Sequence, residues 1–374
     1  SRTRAEGKWL LCFCWRGGSG AVGVLPGPAW SGLRGAGRVR HGRGMQRRLS
    51  ARIERFPVRG AFVIARGAKT HVDVVVAEIV HGDARGRGEG TAIYYRGESA
   101  ESVQAQIVAQ ADAIAAGANR ADLLGLMPAG AARNALDAAL WDVEARLAGR
   151  RVWEMLGLPR PRPMLTAFTI SLGDPGTMAA AAGLARGREL LKIKLGGDGG
   201  PAADIERVAA VRAAAPDARL TIDANEAWGG TDIARTAAAL ALLGVELIEQ
   251  PVPAGQDALL DGVRSVVPLA ADESCHDRAT LDEIVGRYSH INIKLDKAGG
   301  LTEAHALVHA AKQRGLGVMT GCMLCTSLGI APAFYVGMQS AYADLDGPLL
   351  IADRPGGLKF EHSDVWPPDA DLWG

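Results

Sequence analysis

The chain has 374 residues, 42 Lys+Arg against 41 Asp+Glu, and a formal net charge of +1. That length holds one large domain or two ordinary ones, and so balanced a charge gives no electrostatic reason to bind nucleic acid or an anionic membrane. No apolar run reaches the roughly 18 residues a membrane span needs, and Cys12, Cys14, Cys275, Cys322 and Cys325 form no regular framework, which favours a reducing compartment such as the cytoplasm over a disulfide scaffold.

Residues 1–44 differ from everything after them: rich in Gly, Arg and Trp, with Glu6 as the one acid. A poor signal peptide and a basic tail are both open readings. The preferred one takes Met45 as the start and 1–44 as an extension without a fold, because no helix or strand period is sustained there. From Gln46 to Ile79 the pattern alternates, as in Val72-Asp73-Val74-Val75-Val76, and predicts a small antiparallel sheet. Gly82–Gly90 reads as a turn region. Glu98–Ala116 reads as a helix with Val103, Ile107, Val108 and Ile114 on one face. Ala129–Ala148 reads as a second helix, opened by Pro128 and closed by Gly149, with Leu136, Leu140, Trp141 and Leu147 toward the core. Together these predict an α+β unit over 45–163.

After Pro163 short strands alternate with Ala/Leu-rich helices. The predicted strands are Leu165–Leu172, Leu190–Leu195, Arg219–Asp223, Leu247–Gln250, Leu269–Asp272, His290–Leu295, Gly317–Thr320 and Ala343–Leu345. The helices between them are Met178–Arg186, Asp204–Ala214, Asp232–Leu243, Asp257–Val263, Arg278–Val285, Leu301–Lys312 and Thr326–Val336. Eight strands with seven helices is the rhythm of a (β/α)7β TIM-like barrel over 164–346, with 347–374 as a trailing segment. A doubly wound open sheet is the alternative, but the glycines of Gly196-Gly197-Asp198-Gly199-Gly200 do not match its phosphate-binding spacing.

The charges fall at the strand ends, where barrel enzymes carry their chemistry. The second strand supplies Lys192 and Lys194, which leave on one face of it. Lysines so placed either guard an edge strand against aggregation or, with their pKa lowered by mutual repulsion and burial, act as bases. Later strand ends supply Asp223 and Asn225, then Glu249, Asp272 with Glu273, Lys294 with Asp296, and Asp344 with Asp346. Asp223, Glu249 and Asp272 come from successive strands about 4.8 Å apart. Each alone could cap a helix or pair with arginine. As a trio they repel unless a cation lies among them, and an all-oxygen set suits Mg²⁺ rather than zinc. Lys194 and Lys294 then flank that site as a pair able to take and return a proton. Cys322 and Cys325 make a CxxC without a second pair, read as packing at the barrel mouth with redox chemistry as the lesser alternative. His276 reads as loop filler or a proton relay.

The runs Leu191-Lys192-Ile193-Lys194, Ile222-Asp223-Ala224-Asn225, Ile248-Glu249-Gln250-Pro251, Ala271-Asp272-Glu273-Ser274 and Asn292 to Lys297 resemble the muconate-lactonizing subgroup of the enolase superfamily. With Gly321-Cys322-Met323-Leu324-Cys325, Asp344-Leu345-Asp346-Gly347-Pro348, Phe62 to Gly67 and Tyr95 to Ser99, the chain from Met45 onward is similar to its dipeptide epimerases. The resemblance implies a capping domain over the barrel, to which the C-terminal segment returns. It implies one Mg²⁺ on Asp223, Glu249 and Asp272, and Lys194 and Lys294 as acid and base with Lys192 assisting. It further implies Asp344 and Asp346 on the dipeptide's ammonium and Arg66 on a glutamate side chain. Asn225, Glu273 and Asp296 would support the site from behind, with Asp296 paired to Lys297. The implied reaction is epimerisation at the C-terminal residue of a dipeptide, L-Ala-D-Glu of peptidoglycan turnover foremost. Within the same subgroup, o-succinylbenzoate synthesis, N-acylamino-acid racemisation and cycloisomerisation are alternatives, and an inactive metal-binding barrel is another. The oligomeric state is left open, a homo-oligomer included.

Overall fold

A computed structural model describes residues 46–64 and 67–374. The expected extension over 1–44 and the predicted site residue Arg66 lie outside the described residues. An antiparallel three-stranded sheet comes first, Arg48–Ile64, Gly67–His81 and Ala84–Gly90 in that order. Its central strand is buried on both faces. Val75, Ala77 and Ile79 join the core of the sheet and its helices, while Val72 and Val74 pack with Phe56 and Ile351.

The stretch expected to be a turn, 82–90, is instead a two-residue turn followed by the third strand, Ala84–Gly90, paired to Val75–His81. Its glycines hid it, and they are also its reason. Gly86, Gly88 and Gly90 share one face, and a Cβ on them would lie 2.3, 2.1 and 2.3 Å from the carbonyl oxygens of Ala139, Ala135 and Ala131. The helix Ala131–Ala148 therefore rests directly on strand backbone. That helix is buried almost all round, yet Leu147, expected in the core, is half exposed, as is Val108. The helix expected over Glu98–Ala116 is broken at Ala109 and Gln110 into Ala100–Val108 and Ala111–Ala115.

The second sheet has eight parallel strands paired in sequence order: Phe168–Ile170, Leu190–Lys194, Arg219–Asp223, Val245–Glu249, Leu269–Ala271, His290–Ile293, Gly317–Thr320 and Tyr342–Ala343. It curls until Ala167 N donates to Ala343 O at 2.8 Å, joining the first strand to the eighth. The apolar runs at these positions are fully buried because helices cover the outside. Five crossovers carry full helices: Pro175–Leu184, Gly200–Ala214, Ile233–Leu242, Leu301–Gln313 and Ser327–Gly337. The helix expected over Asp257–Val263 is only a 3₁₀ turn, Asp257–Leu260, held short between Gly255 and Gly262 at φ of 81° and 74°. The one expected over Arg278–Val285 is likewise a 3₁₀ turn followed by Leu281–Ile284.

The sheet-bearing part and the barrel meet along Ala131–Ala148. Arg133 donates to the carbonyls of Gly299 and Ala298 at 2.9 and 2.7 Å, Asn134 Nδ2 to Asp296 Oδ1 at 2.8 Å, and Trp141 Nε1 to Thr302 Oγ1 at 3.0 Å. Gly299 and Gly300 permit this approach, with φ of 75° and 119° and no room for a side chain against Arg133 and Asp137. The last residues return to the same helix, where Trp373 Nε1 donates to Ala138 O at 3.1 Å.

The strand glycines yield a stability prediction. Gly88→Ala forces a methyl into the Ala135 carbonyl and should cost about 1–3 kcal/mol in chemical denaturation. Gly125→Ala, where a Cβ meets nothing within 4 Å, should be neutral or stabilising. Equal stability of the two variants would refute the packing argument.

Candidate active site

Barrel strand two ends in Leu190-Leu191-Lys192-Ile193-Lys194, every residue of it buried. Leu191 and Ile193 pack outward into the helix layer, which turns both ammonium groups inward. Lys192 Nζ lies 2.6 Å from Glu249 Oε2, 2.7 Å from Asp344 Oδ2 and 3.9 Å from Asp223 Oδ2. Lys194 Nζ meets Asp223 Oδ2 at 2.6 Å, and Lys294 Nζ meets Asp272 Oδ2 at 2.6 Å. Lys297 Nζ binds the other Asp272 oxygen at 2.5 Å and the carbonyls of Cys275 and Asn292 at 2.9 and 3.0 Å.

This arrangement corrects two expectations. Burial would lower the pKa of Lys192 and of Lys294, but the carboxylates beside them reverse it: Asp344 and Glu249 for Lys192, Asp272 and Glu249 for Lys294. Both amines are held well above the usual lysine value rather than below it. Asp296 and Lys297 do not pair with each other. Lys297 serves Asp272, while Asp296 Oδ1 accepts from Thr91 N at 3.0 Å and from Asn134, both from the sheet-bearing part. Burial pushes the Asp296 carboxyl up to about 7.

The three predicted ligand carboxylates sit at the ends of neighbouring strands, with Asp223 aligned to Glu249 in register. All three are buried. Burial and then the nearby Asp223 raise the Glu249 carboxyl, whereas Asp272 is held well below the ordinary range because Lys294 and Lys297 outweigh its burial. Among the described residues no three acidic, histidine or cysteine side chains form a ready metal cage; ammonium groups lie against these oxygens instead. The donor set still fits a hard divalent cation such as Mg²⁺. It is all oxygen, mutually repelling, and Glu249 Oε2 makes an ion contact but no hydrogen bond.

The strand ends are held by strained backbone. Asn225, Glu226 and Gln250 have φ of 45°, 68° and 37°, a region costly for residues other than glycine. Gln250, which the sequence reading passed over, is fully buried, and its Oε1 accepts from Asp272 N at 2.8 Å and Ser274 N at 3.1 Å. Asn292, also passed over, donates to Glu249 Oε1 at 2.7 Å. Both lay in the quoted motifs, and their buried amides were the available signal. On the eighth strand, Asp344 faces Lys192 with its Oδ1 unbonded, and Asp346 Oδ2 accepts from Thr169 N at 2.7 Å. Burial and then the Asp344 charge push the Asp346 carboxyl up to about 7.

One cavity brings together Lys194, Lys294, Asn225 and Glu273 of the barrel with Phe62, Lys69, Tyr94 and Tyr95 of the sheet-bearing part. Lys69 went unnoticed in the sequence because it reads as an ordinary outward strand residue. It is half-buried, burial lowers its pKa, and its Nζ lies 4.5 Å over the Tyr94 ring, with no acid paired to it among the described residues. His276 lies beyond this group; burial pushes it down to about 4, so it is neutral at physiological pH.

Two family models cover most of the described chain: mandelate racemase / muconate lactonizing enzyme, N-terminal domain, over 48–157, and enolase C-terminal domain-like over 177–369. The chain is 44% identical over 310 residues to the L-Ala-D/L-Glu epimerase of Escherichia coli, covering 82% of this chain and 95% of that one. It is 42% identical over 254 residues to an N-acetyl-D-glutamate racemase of a Pseudoalteromonas species, 68% of this chain and 79% of that one. Among solved structures it matches an enolase family member from Agrobacterium tumefaciens with homology to dipeptide epimerases, bound to sodium and L-Ala-L-Glu. That match has a TM-score of 0.85 at 51% identity, over 88% of this chain and all of the other. It also matches a dipeptide epimerase from Enterococcus faecalis in complex with Mg and L-Leu-L-Tyr, with a TM-score of 0.81 at 31% identity over 88% and 99% of the two chains. The sheet-on-helix part, the closed barrel and the lysine–carboxylate mouth together place this chain in the mandelate racemase/muconate lactonizing enzyme family of the enolase superfamily.

Proposed function

We propose that this protein epimerises a dipeptide at the Cα of its C-terminal residue, with L-Ala-D/L-Glu as the preferred substrate and peptidoglycan turnover as its source. The observation that carries the reading is that Lys194 and Lys294, from the second and sixth barrel strands, line the same cavity. A Cα held between them can lose its proton to one ammonium-forming side chain and regain one from the other on the opposite face. Asp223, Glu249 and Asp272 would hold the divalent cation, whose charge would offset the negative charge that gathers on the substrate's carboxylate when Cα loses its proton. Lys192, between Glu249 and Asp344, ties those ligands to the acids that receive the substrate's amine. Asp344, with its free Oδ1, and Asp346 supply the anionic partner a dipeptide ammonium needs. Asn225 and Glu273 border the reacting centre, and Asp296 and Lys297 brace it from behind.

The side-chain carboxylate of glutamate requires a cation in the same cavity. Among the described residues Lys69 stands there without an acid partner, and Arg66, outside them, is the second candidate. The relative that racemises N-acetyl-D-glutamate makes N-acylamino-acid racemisation the competing reading. An N-acyl substrate carries no ammonium, so it makes no use of the unbonded Asp344 Oδ1.

Four outcomes test this. Lys194→Ala and Lys294→Ala should each lose epimerisation by about 10²–10⁴-fold, while each retains Cα–H exchange in D₂O for only one epimer of L-Ala-Glu. Exchange of both epimers by one mutant would overturn the two-base scheme. Chelation by EDTA should abolish turnover and Mg²⁺ restore it, so full activity in chelator would remove the metal from the scheme. Lys69→Met should lower kcat/KM for L-Ala-L-Glu by about tenfold or more, the loss of a charge-assisted hydrogen bond, and leave L-Ala-L-Ala little changed. If N-acetylglutamate turns over faster than L-Ala-L-Glu in the unaltered protein, the racemase reading replaces the dipeptide one.

A further inference from the structure

The loop Gly321-Cys322-Met323-Leu324-Cys325-Thr326 links the seventh barrel strand to the helix Ser327–Gly337, and the proposed chemistry leaves both its thiols unused. Cys322, Met323 and Leu324 line the cavity that holds Lys194 and Lys294. Both thiols are free, Cys322 partly exposed and Cys325 buried. Its hydrogen-bonding interaction with Cys322 and its burial hold the Cys325 thiol well above its ordinary value, so it keeps its proton beside Cys322. The loop is also gripped from both sides. Thr91 Oγ1 donates to Leu324 O at 3.2 Å, and Thr326 N donates to Glu89 Oε1 at 2.7 Å. On the other side the backbone of Met323 and Cys325 packs so closely on Gly347 that a Cβ there would lie 3.1–3.2 Å from it. Gly347 directly follows Asp346. A shift of this loop is therefore felt at the cavity wall and at the acids proposed to bind the ammonium.

We propose that Cys322 and Cys325 are a reversible thiol–disulfide site, oxidised by low-molecular-weight disulfides, whose closure reshapes the cavity and slows turnover. The Cys322 thiolate attacks one sulfur of the small disulfide and expels one thiolate, leaving a mixed disulfide on Cys322. Cys325 then loses its proton and attacks the Cys322 sulfur, expelling the second small thiolate, which carries away that proton. The sum is two protein thiols and one small disulfide giving one protein disulfide and two small thiols. The effect on turnover rests on the epimerase reading; the bond itself does not.

The test equilibrates the reduced full-length chain with glutathione and glutathione disulfide in graded ratio, then maps peptides by mass without reduction. The peptide spanning 322–325 should lose two hydrogens, amide exchange over 321–326 should change, turnover of L-Ala-L-Glu should fall, and dithiothreitol should restore all three. Cys325→Ser should instead accumulate glutathione on Cys322. The proposal is overturned if both thiols stay alkylatable in excess glutathione disulfide, or if Cys322 pairs with Cys12 or Cys14. It is equally overturned if the bond forms without altering loop exchange. If mass and exchange respond but the reduced protein turns over no dipeptide, the functional reading fails and the thiol site stands.

Discussion

The buried alternation of ammonium and carboxylate at the barrel mouth is the constraint on which the rest depends. Asp223, Glu249, Asp272, Asp344 and Asp346 face Lys192, Lys194, Lys294 and Lys297, all nearly out of solvent. Taking any one of these ions out of water costs several kcal/mol. Each is tolerable because a neighbour carries the opposite sign at contact distance, except Asp346, whose Oδ2 accepts from the Thr169 amide instead. Such an array has no use as a stabiliser, since apolar residues would pack there at no electrostatic cost. It therefore has to be held in register by everything around it: strands aligned residue for residue, the left-handed backbone at Asn225 and Gln250, and amide groups of Gln250 and Asn292 aimed at the acids.

The site was legible in the sequence because it breaks the sequence's own pattern. A charge closing an apolar run, repeated strand after strand, has no counterpart on a surface helix, and Lys192, Lys194, Asp223, Glu249 and Lys294 announce themselves that way. What escaped did so for physical reasons. The strand Ala84–Gly90 lacks every β-forming residue type because its neighbour leaves no room for side chains. Lys69 looks like any exposed strand lysine until the Tyr94 ring and the cavity wall are seen beside it. The direction of the lysine pKa shifts could not be read from the two-residue spacing alone, because that spacing shows the repelling lysine and hides the carboxylates contributed by other strands.

The sheet-bearing part is no lid resting loosely on a finished enzyme. Asp296, two positions after Lys294, is held by Thr91 and Asn134, and the carbonyls of Ala298 and Gly299 are held by Arg133. The turn that follows the sixth strand therefore takes its shape from the first third of the chain. Lys297 leaves that same turn to grip Asp272, so the orientation of one proposed metal ligand depends on docking between the two parts.

The helix Ala131–Ala148 meets its partners very late in the chain: Asn134 is 162 positions from Asp296, Arg133 is 166 from Gly299, and Ala138 is 235 from Trp373. At a synthesis rate of about 5–20 residues per second, that helix and the glycine-faced strand beneath it wait on the order of ten seconds or more for those contacts. During that interval the surface destined for the barrel, with Arg133, Asn134 and Asp137 among apolar neighbours, stands uncovered on a nascent chain. Contacts this distant in sequence also make for slow folding in isolation. Building an active site from distant parts of one chain thus leaves that face without its partner until the barrel has been made.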